Sequence, residues 1–220
     1  MRGAPKQTTV HLLRHGEVEN PHKILYGRLP DYHLSDRGRA MAELATEALA
    51  NVPVGLVVSS PLERAQETAQ PIADSHGLPI YTDPRLIEAG NKFEGRRFGH
   101  ADGSPTRPAN WPLLVNPFRP SWGEAYTTIA ARMEEAVRAA LAASRRLAGG
   151  RDVVAVSHQL PIWILRSHFE GRRLWHDPRN RECNLTSLTS FTFTGDRLSA
   201  IAYTEPAASL YPGANPTPGA

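Results

Sequence analysis

One cysteine in 220 residues, Cys183, has nothing to pair with, so the chain holds no internal disulfide and no cysteine cluster for a structural zinc. Long hydrophobic runs are missing as well. No stretch approaches the roughly 20 apolar residues that a membrane helix needs. Met1 to Thr8 is polar, carries Pro5 and lacks the apolar centre of a secretory signal, so a cytoplasmic protein is expected. Charge of one sign is scarce: 25 Lys and Arg against 22 Asp and Glu leave a formal net charge of +3. The arginines are scattered rather than striped along one helix. That pattern argues against nucleic acid and against a membrane surface as partners. No internal repeat is present.

What remains is ordinary globular material, 40% hydrophobic and 21% charged. A chain of this length buries a continuous core without covalent staples, as one domain with a sizeable insertion. Val10 to Leu13 reads as a strand ending at Arg14-His15-Gly16. Asp36 to Leu49 has helical spacing through Met41, Leu44, Ala45 and Leu49, with Ser35 as N-cap. Leu56 to Val58 is a second strand, closed by Ser59-Ser60-Pro61. Pro61 suits the first position of a helix running Leu62 to Ser75, stopped at Gly77-Leu78-Pro79. Ile80 to Thr82 is a short third strand. An alanine-rich helix runs from Tyr126 to about Leu147 and ends at Gly149-Gly150. Val153 to Val156 is the next strand, ending at Ser157-His158, with a helix over Pro161 to His168 after it. Leu185 to Phe193 and Leu198 to Tyr203 alternate like an antiparallel hairpin turning at Gly195-Asp196.

Strands alternating with helices in this way predict an α/β layer architecture with a largely parallel sheet. The pattern fails between Gly90 and Gly123, where five prolines are interleaved with Phe93, Trp111, Phe118 and Trp122. A loop of that length inside a compact domain reads as a lid-like insertion, residues 90–124. The domain is expected to span 1–204, and Glu205 to Ala220, rich in Pro, Gly and Ala, to form a mobile tail.

Three strand ends carry the unusual residues: Arg14-His15-Gly16-Glu17, then Ser60-Pro61-Leu62-Glu63-Arg64, then Ser157-His158-Gln159. Ligands of open α/β sheets bind outside the carboxyl ends of the strands. Two histidines and two arginines converging there suit a phosphate-like anion, because the guanidinium fork matches phosphate oxygens. Each residue has a plainer reading. Arg64 could pair with Glu63 or Glu67 on its helix, and His158 alone would be a satisfied core histidine. Glu94 and Glu124 rival Glu88 as the carboxylate near the site.

At this point the sequence resembles the histidine phosphatase superfamily, and more narrowly its phosphoglycerate mutase-like branch. The resemblance rests on Leu13-Arg14-His15-Gly16-Glu17, Tyr26-Gly27-Arg28, Leu34-Ser35-Asp36-Arg37-Gly38 and Ser59-Ser60-Pro61-Leu62-Glu63-Arg64-Ala65-Gln66-Glu67-Thr68-Ala69. Leu86-Ile87-Glu88, Phe93-Glu94-Gly95 and Val156-Ser157-His158 continue it in order, from Val10 to Tyr203. It implies a three-layer α/β/α sandwich whose mostly parallel central sheet has an antiparallel edge. It also implies phosphoryl transfer through a phosphohistidine on His15, with Arg14, Arg64 and His158 clamping the phosphoryl group and Glu88 as proton donor. Asn20, Gly27 and Gln159 fall among the substrate-binding positions. Neither a metal nor another cofactor is implied, and the partner is a small phosphorylated metabolite.

The sequence departs from the pattern in places. Val18 stands where Ser or Thr is common, Asn20 arrives one residue early, and Gln159 replaces a frequent Gly. The Phe-Thr-Gly-Trp run of glycolytic mutases is absent, with Leu25-Tyr26-Gly27-Arg28 in its place. That favours a phosphatase over a mutase; a phosphate-binding module without catalysis is the third reading. Oligomeric state is not legible, and a homodimer is compatible with the sequence.

Overall fold

The computed structural model describes residues 7–97 and 122–214. Six strands form one sheet: β1 (Gln7–Arg14), β2 (Val54–Ser59), β3 (Ile80–Thr82), β4 (Asp152–Ser157), β5 (Leu188–Thr194) and β6 (Arg197–Thr204), in the order β3-β2-β4-β1-β5-β6. β3, β2, β4 and β1 run parallel, and β5 and β6 add an antiparallel edge. Four helices flank them: α1 (Asp36–Leu49), α2 (Glu63–His76), α3 (Tyr126–Leu147) and α4 (Gln159–Phe169).

Side chains on a strand alternate between faces, and here both faces are covered. Val10, Leu12, Val58, Val153 and Ala155 pack with Ile129, Met133, Val137 and Leu141 of α3 and with Ile162 and Leu165 of α4. Leu13, Val57, Val154 and Val156 point the other way, onto Ala45 and Leu49 of α1 and Ala65, Ala69 and Ile72 of α2. Burial on both faces explains why these strands read as continuous apolar runs rather than alternating ones. The three-layer sandwich follows. Among the described residues no helix is long and apolar enough to cross a membrane.

Helix boundaries follow local chemistry. Ser35 Oγ accepts from Gly38 N at 3.0 Å and caps α1. α2 starts at Glu63 rather than Leu62. Leu62 is its N-cap and Pro61 lies outside the helix, while Ser60 Oγ takes the Leu62 N–H at 3.4 Å. Gly77, at φ +63, ends α2. α4 begins at Gln159, two residues ahead of the expected Pro161; proline is tolerated there because a first-turn N–H has no intrahelical partner. β5 begins at Leu188 rather than Leu185. Thr186 turns at φ +50, and the Ser187 carbonyl accepts from Arg14 N at 3.1 Å.

Residues 98–121, including Trp111 and Phe118 of the expected lid, lie outside the described residues. The two ends of that segment meet: Asn91 bridges to Gly123, Lys92 N donates to Trp122 O at 2.7 Å, and Glu124 N donates to Gly90 O at 3.0 Å. Of the expected tail, residues 205–214 are described, and two of them are held. Ala207 is fully buried, and Tyr211 Oη donates to Leu185 O at 3.0 Å. The hydrogen bond ties the segment to the loop that precedes β5.

Candidate active site

The registers of β1, β4 and β2 set Arg14 beside Ser157 and Val156 beside Ser59, so the three parallel strands end level. Their next residues therefore meet. His15 N donates to Ser157 O at 3.1 Å and Ser60 N to Val156 O at 2.9 Å. The His15 and His158 rings lie 5.2 Å apart.

His15 is almost fully buried. Its Nδ1 lies 2.8 Å from the Gly16 carbonyl, which can only accept, so Nδ1 carries the proton and Nε2 keeps its lone pair. Gly16 N donates to Thr68 Oγ1 at 3.1 Å, and that hydroxyl donates to Arg64 O at 2.7 Å, tying the loop to α2. A side chain at Gly16 would collide with the Gly38 carbonyl, so helix α1 presses directly on the loop behind His15. Burial, then the charges of Arg64 and Arg14, hold the His15 pKa well below the ordinary imidazole value. The ring is neutral.

The cations around it are unusual. Arg64 has no exposed surface, and its Nη2 donates to Gly27 O at 2.5 Å while its guanidinium stacks over Tyr26 at 4.7 Å. Its Nε and Nη1 are buried without a hydrogen-bond partner. The expected alternative, a pair with Glu63 or Glu67, does not form; Glu67 is taken by His33 and the Leu34 N–H. Arg14 Nη1 donates to Cys183 O at 2.8 Å and its Nε is buried and unpaired. Among the described residues neither arginine makes an ion pair. Two desolvated guanidiniums with idle donors are costly unless an anion arrives.

Of the carboxylates, Glu88 interacts most strongly with the Arg64 charge. It is buried, and its Oε1 accepts from Ala89 N at 2.8 Å. Burial raises its pKa, against opposing pulls from the Ala89 N–H and from Arg64, Arg181 and Arg14. The rival carboxylates are engaged elsewhere. Glu124 pairs with Arg28 and Arg132, both at 2.8 Å, and Glu94 accepts from Asn91 N at 3.2 Å. His158 is also fully buried. Its Nε2 lies 2.8 Å from Ser60 Oγ, its Nδ1 has no partner, and burial together with Arg64 depresses its pKa well below 6.5. His158 is thus neutral here, not the standing cation it could have been.

The remaining expected residues divide. Gly27, at φ +40, contributes its carbonyl to Arg64, and a Cβ there would run into the Glu94 side chain. Gln159 does not cap α4; it donates to Cys183 O at 3.2 Å, the oxygen that Arg14 also uses, and so lines the same corner. Asn20 spends both ends of its amide on the Ile24 backbone, at 2.8 and 3.0 Å, and closes its own loop. Sequence reasoning missed Arg181, which donates to His176 Nε2 at 2.8 Å and raises no motif, yet lies close enough to Glu88 for its charge to oppose the rise in that residue's pKa. It also missed Ser60 as the partner of His158, although Ser60 stands in the quoted run. Among the described residues no group of three or more His, Cys, Asp or Glu is arranged to hold a metal ion.

Known proteins share this architecture. Residues 10–205 match the model of the histidine phosphatase superfamily, branch 1. An uncharacterized protein of Mycobacterium tuberculosis is 55% identical over 204 residues, 93% of this chain and 99% of its own length. A Yersinia pestis protein named "probable phosphoglycerate mutase" is 33% identical over 189 residues, 80% of this chain and 82% of that protein. The solved structure of a mycobacterial glucosyl-3-phosphoglycerate phosphatase superposes with a TM-score of 0.70 at 26% identity, covering 90% of this chain and 97% of that one. With the match running across nearly all of its length, the chain belongs to the histidine phosphatase superfamily.

Proposed function

We propose that this protein is a metal-independent phosphomonoesterase acting on a small phosphorylated metabolite through a phosphohistidine on His15. One observation supports the reading above the others. Two buried guanidiniums with unpaired donors and no carboxylate partner flank a neutral histidine whose Nε2 is free of hydrogen bonds among the described residues. That is an anion receptor built around a nucleophile.

The phosphate monoester seats its non-bridging oxygens on Arg14, Arg64 and His158. The incoming dianion raises the pKa of His158, which takes up a proton and joins the clamp. His15 Nε2 attacks phosphorus in line; the P–N bond forms as the ester P–O bond breaks. Charge spread over the equatorial oxygens is met by the arginines, so positioning and electrostatics carry the step. Glu88, whose pKa burial raises, gives its proton to the departing oxygen. The resulting carboxylate then removes a proton from water, whose oxygen attacks phosphorus and breaks the P–N bond. Phosphate leaves with Glu88 protonated again.

The mutase reading is favoured by the Yersinia relative, and differs in returning the phosphoryl group to a substrate oxygen instead of to water. The mycobacterial phosphatase neighbour and the absent Phe-Thr-Gly-Trp run favour hydrolysis. The test is turnover of p-nitrophenyl phosphate in the presence of a chelator. Hydrolysis should survive chelation and vanish in His15→Ala. Chelator-sensitive turnover, or 3-phosphoglycerate isomerising without net phosphate release, would overturn the proposal.

A further inference from the structure

Glu88 lies two residues past a single 3-10 turn, Pro84–Leu86, and the orientation of its carboxyl depends on one peptide unit. The N–H of the Glu88–Ala89 peptide donates to Oε1 of the Glu88 carboxyl itself, at 2.8 Å. The carbonyl of the same peptide accepts from Arg28 Nε at 2.7 Å. Rotating that peptide would therefore break both bonds and release the Glu88 carboxyl from this orientation. Arg28 is in turn held by Glu124, through Nη2 to Oε2 at 2.8 Å, and Arg132 grips the other side of Glu124 at 2.8 and 3.1 Å. Arg132 also donates to Arg85 O at 2.5 Å, anchoring the loop three residues upstream of Glu88. Gly90 lies against the guanidinium of Arg28. Arg28 and Glu124 line a cleft of about 500 Å³ with Gly90, Asn91, Lys92 and Trp122.

The geometry points to Arg28 as a positioning residue for the proton donor, locked in place by Glu124. The inference rests on the phosphatase reading, in which Glu88 protonates the leaving oxygen. Arg28 touches no reacting atom. It fixes the peptide that aims Glu88, and Glu124 couples that peptide to α3 and to the wall of the cleft. A misaimed acid harms only those reactions that need it. An alkoxide leaving group requires the proton, whereas a nitrophenolate departs with little help.

The measurement is kcat/KM, which covers the steps through release of the alcohol, for p-nitrophenyl phosphate and for an unactivated alkyl phosphate. Glu88→Gln in the full-length protein sets the reference: its loss should fall mainly on the alkyl ester. Arg28→Met should show the same signature, lowering the alkyl-to-aryl ratio on the order of 10-to-100-fold, as expected of a displaced catalytic group. Glu124→Gln should lower the ratio in the same direction by a smaller factor, and it decides the matter should Arg28→Met fail to fold. An unchanged ratio in both variants would overturn the inference and leave Glu88 in its role. Equal loss on both esters in Glu88→Gln would overturn the proton-donor reading, and the inference with it.

Discussion

Arg64→Met should make the protein more stable and nearly inactive at once. Arg64 is wholly buried, with Nε and Nη1 unpaired and no carboxylate in ion-pair range among the described residues. Desolvating such an ion costs several kcal/mol. Against that stand the bond to the Gly27 carbonyl and the stack over Tyr26, worth about 1 kcal/mol each. Methionine fills a similar space and suits a helix, so the variant should gain about 1–2 kcal/mol, raising Tm by roughly 2–8 °C. The same change removes a preorganised cationic donor from the transition state, where such losses run to about 10²–10³ in kcat. Inorganic phosphate links the two effects. At 100 times its Kd a ligand stabilises by about 2.7 kcal/mol, so phosphate should raise the melting point of the wild type and barely move that of the variant. Calorimetric melts in a phosphate-free buffer, with and without added phosphate, alongside turnover of p-nitrophenyl phosphate, read all three. A variant that melts well below the wild type, yet keeps both turnover and the phosphate-induced rise, would refute the view of Arg64 as an unpaired anion clamp.

Acid should destabilise the ligand-free protein from about pH 6.5 downward. His15 and His158 have folded pKa values well below 6.5, so their contribution is present above 6.5 and is lost as pH falls toward those values, at about 1.4 kcal/mol per pH unit for each. Glu88 works in the opposite sense. Its raised pKa stabilises the fold below 4.5, and that contribution is lost as pH rises through the folded value. Denaturant titrations across this range should show the slope, and His158→Gln should halve it; an unchanged slope would mean that His158 is not held neutral. Gly38→Ala should cost about 1–3 kcal/mol and much of the activity, because its Cβ would collide with the Glu17 carbonyl and push the loop behind His15. Thermal melts and turnover check it, and a silent substitution would show that α1 does not support the site.

Much of this molecule was legible in the sequence because its strands and helices obey simple periods. Val153–Val156 and Leu56–Val58 are buried on both faces and read as unbroken apolar runs, while Ile129, Met133 and Val137 mark one helical face. His15, Arg14, Arg64 and His158 were legible because each sits at a strand end or at a helix start, positions that local patterns report. Other features depend on contacts that no local pattern encodes. Glu124 and Glu94 could not be told from Glu88 without seeing that Arg28 and Arg132 consume the first and that Asn91 binds the second. Arg181 comes from the loop between α4 and β5 and meets the site only through the tertiary fold. The protonation state of His158 follows from burial and from the nearby arginines, neither of which residue type alone supplies.

The most direct test is rapid acid-free quenching of the enzyme during turnover of a phosphate monoester, followed by peptide mass spectrometry. The mechanism predicts an acid-labile phosphate on the peptide that carries His15, absent in His15→Ala and accumulating in Glu88→Gln with an activated aryl ester. Steady hydrolysis by the wild type with no phosphate on that peptide, or with turnover retained in His15→Ala, would contradict it.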